Sequence, residues 1–361
     1  GIYSAFFCIF VLNMAALSDT LKNKINEMPE SNKMLLLALV VGLCSGLAAV
    51  ILKYAIHYVS LFLKSWFNGS SESWLYLVYP GLGMLVSFLF VRYIVKDNIS
   101  HGVTKVLKAV AKHESKIKGH NVWSSLVSSS LTIGFGGSVG AEAPIVYTGA
   151  AIGSNLAQKL GLSYKNMTIL LGCGAAGAVA GIFKAPLAGI LFTLEILMFN
   201  ISMTSIVPLL VSAVTATTVS FIFLGESVVF TNSIQAFNIR NIPFYIILGV
   251  VCGAFSLYFM RTTLFMEDKI RLIKRPYLRW MISALSLGLL IFLFPPLYGE
   301  GYDSLTSLLN NNTEQAIGNT IFGDILTNPW AIPIFFLAVL IIKVLAMSLT
   351  NAGGGVGGTF G

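Results

Sequence analysis

The chain has 361 residues, 56% of them hydrophobic and only 11% charged, with a formal net charge of +8. A soluble domain carries roughly a quarter of its residues as charges, so this composition excludes one and predicts an all-α, polytopic membrane protein. The excess of basic residues falls between apolar runs, where it sets orientation in the bilayer and does not call for nucleic acid.

The sequence opens on Gly1 and stops at Gly361 within a glycine run, so it reads as a fragment with Met14 as an alternative start. No basic region precedes GIYSAFFCIFVLN, which argues against a signal peptide. Residues 1–33 are taken as an N-terminal segment, in part cytoplasmic. Met34–Phe67 is long enough to cross a bilayer at a steep tilt, and Leu75–Val95 returns. Arg92, Lys96, Lys105, Lys108, Lys112, Lys116 and Lys118 then face only Asp97 and Glu114, the mark of a cytoplasmic loop.

From Trp123 to Glu195 the apolar segments shorten and break at GFGG, GLSYKN, GCGAAGAVAG and KAP. Broken helices survive in a membrane only where protein or a water-lined cavity satisfies the freed backbone groups, so the functional core is expected here. Longer spans follow at Ile206–Leu224, Phe244–Met260 and Trp280–Leu297. A second cytoplasmic loop, with Arg261, Lys269, Arg271, Lys274, Arg275 and Arg279, joins the last two. Pro296–Trp330 carries Glu300, Asp303, Glu314 and Asp324 without lysine or arginine, which places it outside. Ala331–Leu349 crosses back.

Two stretches echo one another: GSVGAE (Gly137–Glu142) and GGVGGT (Gly354–Thr359). A fainter pair is SHGVTKVL (Ser100–Leu107) and GEGYDSLTSLL (Gly299–Leu309), on opposite sides by the charge argument. That is the pattern of an inverted-topology repeat with a site near the midplane, here divided into residues 34–225 and 226–361.

Glu142 is a lone acid framed by glycines at an expected helix start. Pro144 suits a first turn, where its missing N–H is not needed, and Gly149 and Gly153 give a small-residue stripe. A helix N-terminus offers free N–H groups and about half a positive charge, an anion site. Glu142 can fill that site as a tethered anion and leave when protonated or outcompeted; the plainer alternative is a helix cap. An ionisable residue within a membrane is functional by default. Thr359 and Phe360 would start the matching half-helix. Glu195 ends the short helix expected over Lys184–Met198, as a transport residue or a solvated terminal acid. His101 is an anion donor or a surface histidine. His57, His113 and His120 show no ligand spacing. Cys8, Cys44, Cys173 and Cys252 sit in apolar segments without C-x-x-C spacing, so they read as small buried hydrophobes and no metal site is expected. No nucleotide loop or nucleophile setting is present, and the chain is not expected to be an enzyme.

Together GGSVGAEAP, KAPLAGILFTLE and GGTFG, in this order, resemble the CLC family of chloride channels and proton-coupled chloride transporters, from about Met34 to the end. The resemblance implies a CLC-like inverted repeat of broken, tilted helices. It makes Glu142 the external gate, within Gly140-Ala141-Glu142-Ala143-Pro144, with Gly140, Ala141, Ala143, Gly102 and His101 among the anion-binding residues; the family has a basic residue and a glycine at Ala141 and Ala143. The N–H groups of Thr359 and Phe360 would hold the central ion. The family's G-S-G-I-P aligns with Ser100-His101-Gly102-Val103-Thr104, so His101 replaces the serine and selectivity is open. Ile196, beside Glu195, takes the position of the proton-carrying acid. That departure tilts the reading toward channel-like or weakly coupled flow, with strict chloride/proton exchange as the alternative and a membrane scaffold as a remote one.

By the same resemblance chloride or a similar anion, with or without protons, is the transported ligand, and no cofactor is needed. Fluoride is disfavoured by the motifs. The protein would be a homodimer with one pathway per subunit, in the plasma (inner) membrane if bacterial. A late tyrosine ligand of the family lies beyond Gly361.

Overall fold

The computed structural model describes residues 28–65, 75–97, 99, 102–196, 203–225, 238–310, 312–317, 320, 322 and 330–359. The architecture is helical. The first half contains α1 (Glu30–Ser65), α2 (Leu75–Leu89, continued by a π-helical turn Phe90–Val95), α3 (Gly102–Lys112), α4 (Asn121–Gly134), α5 (Glu142–Lys159), α6 (Tyr164–Phe183), α7 (Pro186–Ile196) and α8 (Met203–Leu224). The second contains α9 (Ile242–Arg271), α10 (Pro276–Leu293), α11 (Tyr302–Leu309), α12 (Thr313–Ile317) and α13 (Ala331–Ala352). Among the described residues seven helices are long and apolar enough to cross a membrane, and the chain is an integral, multi-pass membrane protein.

At 1.5 Å per residue, the 36 residues of α1 extend about 54 Å, well beyond a hydrocarbon core of about 30 Å. Such a helix tilts. The expected breaks have local causes. Lys184 ends α6 in the left-handed region at φ 56°, and its ammonium donates to the Gly225 carbonyl at 2.7 Å. Pro186 then opens α7.

The core sits between α5 and α6, which are buried along most of their lengths. Their approach is set by glycine: a Cβ at Gly149 would lie 2.1 Å from the Gly174 carbonyl oxygen, and one at Gly153 2.0 Å from that of Leu170. Small residues drive such packing because lipid supplies no hydrophobic force between helices. α1 packs on both helices of this pair, and α8 packs on α6 and α1.

α9 is the opposite case. No residue of its membrane-spanning window is buried. It also corrects two expectations. The span is not Phe244–Met260 with a loop after it: the helix continues to Arg271, so Arg261, Lys269 and Arg271 are helical, the last two in the final turn where cations favour the helix dipole. And of the cysteines, Cys44 and Cys173 are buried but Cys252, on α9, is exposed; Cys8 lies outside the described residues. Trp280–Leu297 likewise shortens, because α10 ends at Leu293 before the Pro295–Leu297 turn.

Candidate functional site

The two glycine turns echoed in the sequence meet in space. The Gly140 N–H donates to the Gly358 carbonyl at 3.2 Å, and the Gly358 N–H donates back to the Gly140 carbonyl at 2.6 Å. This reciprocal pair clasps the start of α5 to the end of the Gly353–Thr359 segment. Thr132, on α4, supports the clasp: its hydroxyl accepts from the Val356 N–H at 3.0 Å and donates to the Ser128 carbonyl at 2.9 Å. A third segment closes in at Gly102, the first residue of α3, where an added Cβ would lie 2.7 Å from the Ala143 carbonyl oxygen. His101 and Phe360 lie outside the described residues.

Glu142 is the first residue of α5, 4% exposed. In a helix the Cα–Cβ bond tilts toward the N-terminus, so this side chain projects beyond the helix start. There Oε1 accepts a hydrogen bond from the Tyr302 hydroxyl at 2.5 Å, and Oε2 is buried without a partner. Tyr302 opens α11, and the preceding Gly301 adopts φ +89° to make that entry.

The helix-start N–H of Ala141 is taken, and not by Glu142. It donates to Glu300 Oε1 at 3.1 Å. Glu300 was expected in an outer loop as a topology charge; its carboxylate instead joins the site, while Asp303 is exposed as expected. The turn that carries it is anchored by Lys343 on α13, whose ammonium donates to the carbonyls of Gly299 at 3.0 Å and Glu300 at 3.3 Å. Lys343 also acts electrostatically on Glu300, as does Lys53 on α1, and Lys53 and Tyr302 each feel both acids. Burial and the neighbouring Glu142 carboxylate push the Glu300 carboxyl up to about 7, against the pull of Lys53, the Ala141 N–H and Lys343.

Lys53, Glu300, Tyr302 and Lys343 were missed in the sequence. The signal for the lysines was there: each is a lone cation within an apolar run, which a membrane segment tolerates only with a partner.

Among the remaining expected residues, Glu195 is exposed at the end of α7 and Ile196 packs against the main core. Neither is brought to Glu142 by a described contact. Thr359 follows the Gly358 clasp directly. Beside the same glycine segment a cavity of about 730 Å³ opens, lined by Arg92, Lys96, Arg271 and Arg279 as well as Asp97 and Glu267. Its net positive lining lies on residues that the charge pattern assigns to the cytoplasm.

Backbone amides and glycine turns gathered at a helix start, with a buried acid among them, in a multi-pass helical protein suit the passage of a small anion by partial charges. Residues 82–361 match the family model described as voltage gated chloride channel, and the chain belongs to that family. It is 25% identical over 346 residues to a putative ClcB-like chloride channel protein of Ralstonia nicotianae, covering 91% of this chain and 75% of that one. It is 26% identical to the H(+)/Cl(-) exchange transporter ClcA of Vibrio campbellii, over 83% of this chain and 67% of the relative. Among solved structures, a CLC-type fluoride/proton antiporter matches with TM-score 0.71 and 26% identity, over 91% of this chain and 77% of that one. A slow cyanobacterial Cl-/H+ antiporter matches in fold with TM-score 0.73 at 21% identity, over 92% and 76%.

Proposed function

We propose that this protein moves chloride or a similar small anion across the membrane, with Glu142 as the gate. The observation that carries the reading is the clasp of Gly140 and Gly358 beside a buried Glu142 held by one hydroxyl hydrogen bond. Gly102, Ala143 and Thr359 adjoin the clasp, and the family pattern adds His101, just before Gly102, and Phe360, just after Thr359. The N–H groups of Gly140 and Ala141 serve a different role while the gate is seated, since Gly358 and Glu300 occupy them. The positively lined cavity beside Gly354 and Gly355 is the cytoplasmic approach. The two-repeat division at 225 and 226 and a homodimer with one pathway per subunit belong to the same reading, and no cofactor takes part.

Ile196 in place of an acid favours channel-like or weakly coupled flow. The relatives are named both as channels and as exchangers, so strict exchange is the competing reading. Fluoride enters the comparison through one structural neighbour.

The test is the reversal potential of the full-length protein in liposomes under crossed chloride and proton gradients, with nitrate, bromide and fluoride as alternatives and Glu142→Ala alongside. A potential set by chloride alone is expected for channel-like flow. A displacement by the pH gradient that Glu142→Ala abolishes would establish exchange, and no anion current under any gradient would sink the transport reading.

A further inference from the structure

We infer that Glu300 is a second gating carboxylate: it sits as a tethered anion on the Ala141 N–H and must let go before a transported anion can use that donor at the start of α5. The inference rests on the reading of Glu142 as a gate and extends it. The donors at that helix start are few. Pro144 has none, and the Gly140 N–H is committed to Gly358. The N–H groups of Glu142 and Ala143 belong to the first turn of the helix itself, and that of Ala141, just before them, is held by Glu300 Oε1 at 3.1 Å. An anion arriving from solution therefore competes with a carboxylate that comes from the distant Gly299–Tyr302 turn and not only with Glu142.

The surrounding charges say what releases it. Glu300 is faced by Glu142 from α5, Lys53 from α1, Lys343 from α13 and Tyr302 from α11. With both acids ionised, two carboxylates stand against two ammonium groups, and the cluster is neutral. A transported anion adds a third negative charge. Uptake of a proton by either acid offsets it, and the Glu142 charge beside Glu300 favours a proton there. Glu142 already has one buried oxygen with no partner, so the cluster is short of donors before any anion enters. A protonated Glu300 accepts more weakly than the carboxylate and holds the Ala141 N–H less firmly, so an anion can displace it. One proton balances the anion, and a second is needed because two separate seats must be vacated, Glu142 from the Tyr302 hydroxyl and Glu300 from the Ala141 N–H; the gate opens fully by two protonation events.

The experiment is chloride efflux from liposomes holding the full-length protein, between pH 4.5 and 8.5, for wild type, Glu300→Gln and Glu142→Gln. Wild-type efflux is expected to rise as pH falls, with a Hill slope approaching two. Each single variant should lower the slope to about one. A Glu300→Gln profile that overlays wild type, or a Glu142→Gln profile with no remaining pH dependence, would overturn the inference. A second measurement needs no variant: protons taken up per chloride bound to the wild-type protein, by calorimetry in two buffers of different ionisation enthalpy. More than one supports two acids, and one or fewer overturns them. A wild type that passes no chloride at any pH overturns the transport reading itself, a result distinct from either profile.

Discussion

The Glu142 turn and the Glu300 turn put carboxylates into one cluster in opposite ways. Glu142 starts a long helix whose body is fixed against α6, yet its carboxylate hangs on one hydroxyl with an oxygen left over. Glu300 lies in a short glycine-flanked turn, yet its carboxylate accepts a backbone N–H and its carbonyl is held by Lys343. Rigidity of the backbone and freedom of the side chain are therefore separate properties here. A gate needs a side chain that can leave and a scaffold that does not follow it; α5 supplies both, while the Glu300 turn supplies a side chain that is seated more firmly on a backbone held from outside.

The contrast breaks most completely at Lys343. Lys343→Met removes two hydrogen bonds from a charged donor, each worth about 1.5–3 kcal/mol, and leaves Glu300 with Lys53 as the nearby cation. A loss of at least about 3 kcal/mol is expected, read as a lower melting temperature in detergent, together with a Glu300 that protonates more readily. An unchanged melting temperature would mean that the Gly299–Tyr302 turn holds its place without the lysine, and the distinction between the two turns would go with it.

Tyr302→Phe acts on the link between them. It deletes the hydrogen bond to Glu142 and keeps the ring against Phe183, 6.4 Å between centroids. A hydrogen bond to a charged group contributes about 1.5–3 kcal/mol, and 1.4 kcal/mol is a factor of ten. The seated gate is destabilised by that much, so chloride flux at neutral pH should rise by about ten- to a hundredfold. A fall in flux would make the hydroxyl a guide for the anion and not a latch for the acid.

How far the sequence shows these features depends on whether they are local. The spans were legible because apolar runs are local, and so was Glu142, an acid in a run that has no other reason to hold one. The echo of GSVGAE and GGVGGT was visible too, although its meaning, a reciprocal Gly140–Gly358 pair, is a tertiary fact. Glu300 was not legible: it shares a segment with Asp303, and both look like solvent-facing charges until the fold carries one inward. The end of α9 was misread for a related reason, since a helix can run on past its apolar stretch when lysine and arginine suit its C-terminus. Lys53 and Lys343 are the clue that was available, because a lone cation in an apolar run implies an anion elsewhere.

The smallest expected effect concerns the support beneath the Glu142 turn. Thr132 is buried on α4 and its hydroxyl does two things, accepting from the Val356 N–H and donating to Ser128. Thr132→Val keeps the shape and removes both. The Ser128 carbonyl is in a helix and loses little, but the Val356 N–H is left buried without that partner, which costs about 1–3 kcal/mol. Thr132→Ser retains the hydroxyl and should recover most of it. If the glycine clasp is the rigid half of the comparison, Thr132→Val lowers stability by about that amount and leaves the pH profile of chloride flux in place, because neither carboxylate has changed its surroundings. A shifted profile would instead mean that the clasp moves with the gate, and that α5 and the second glycine turn open together.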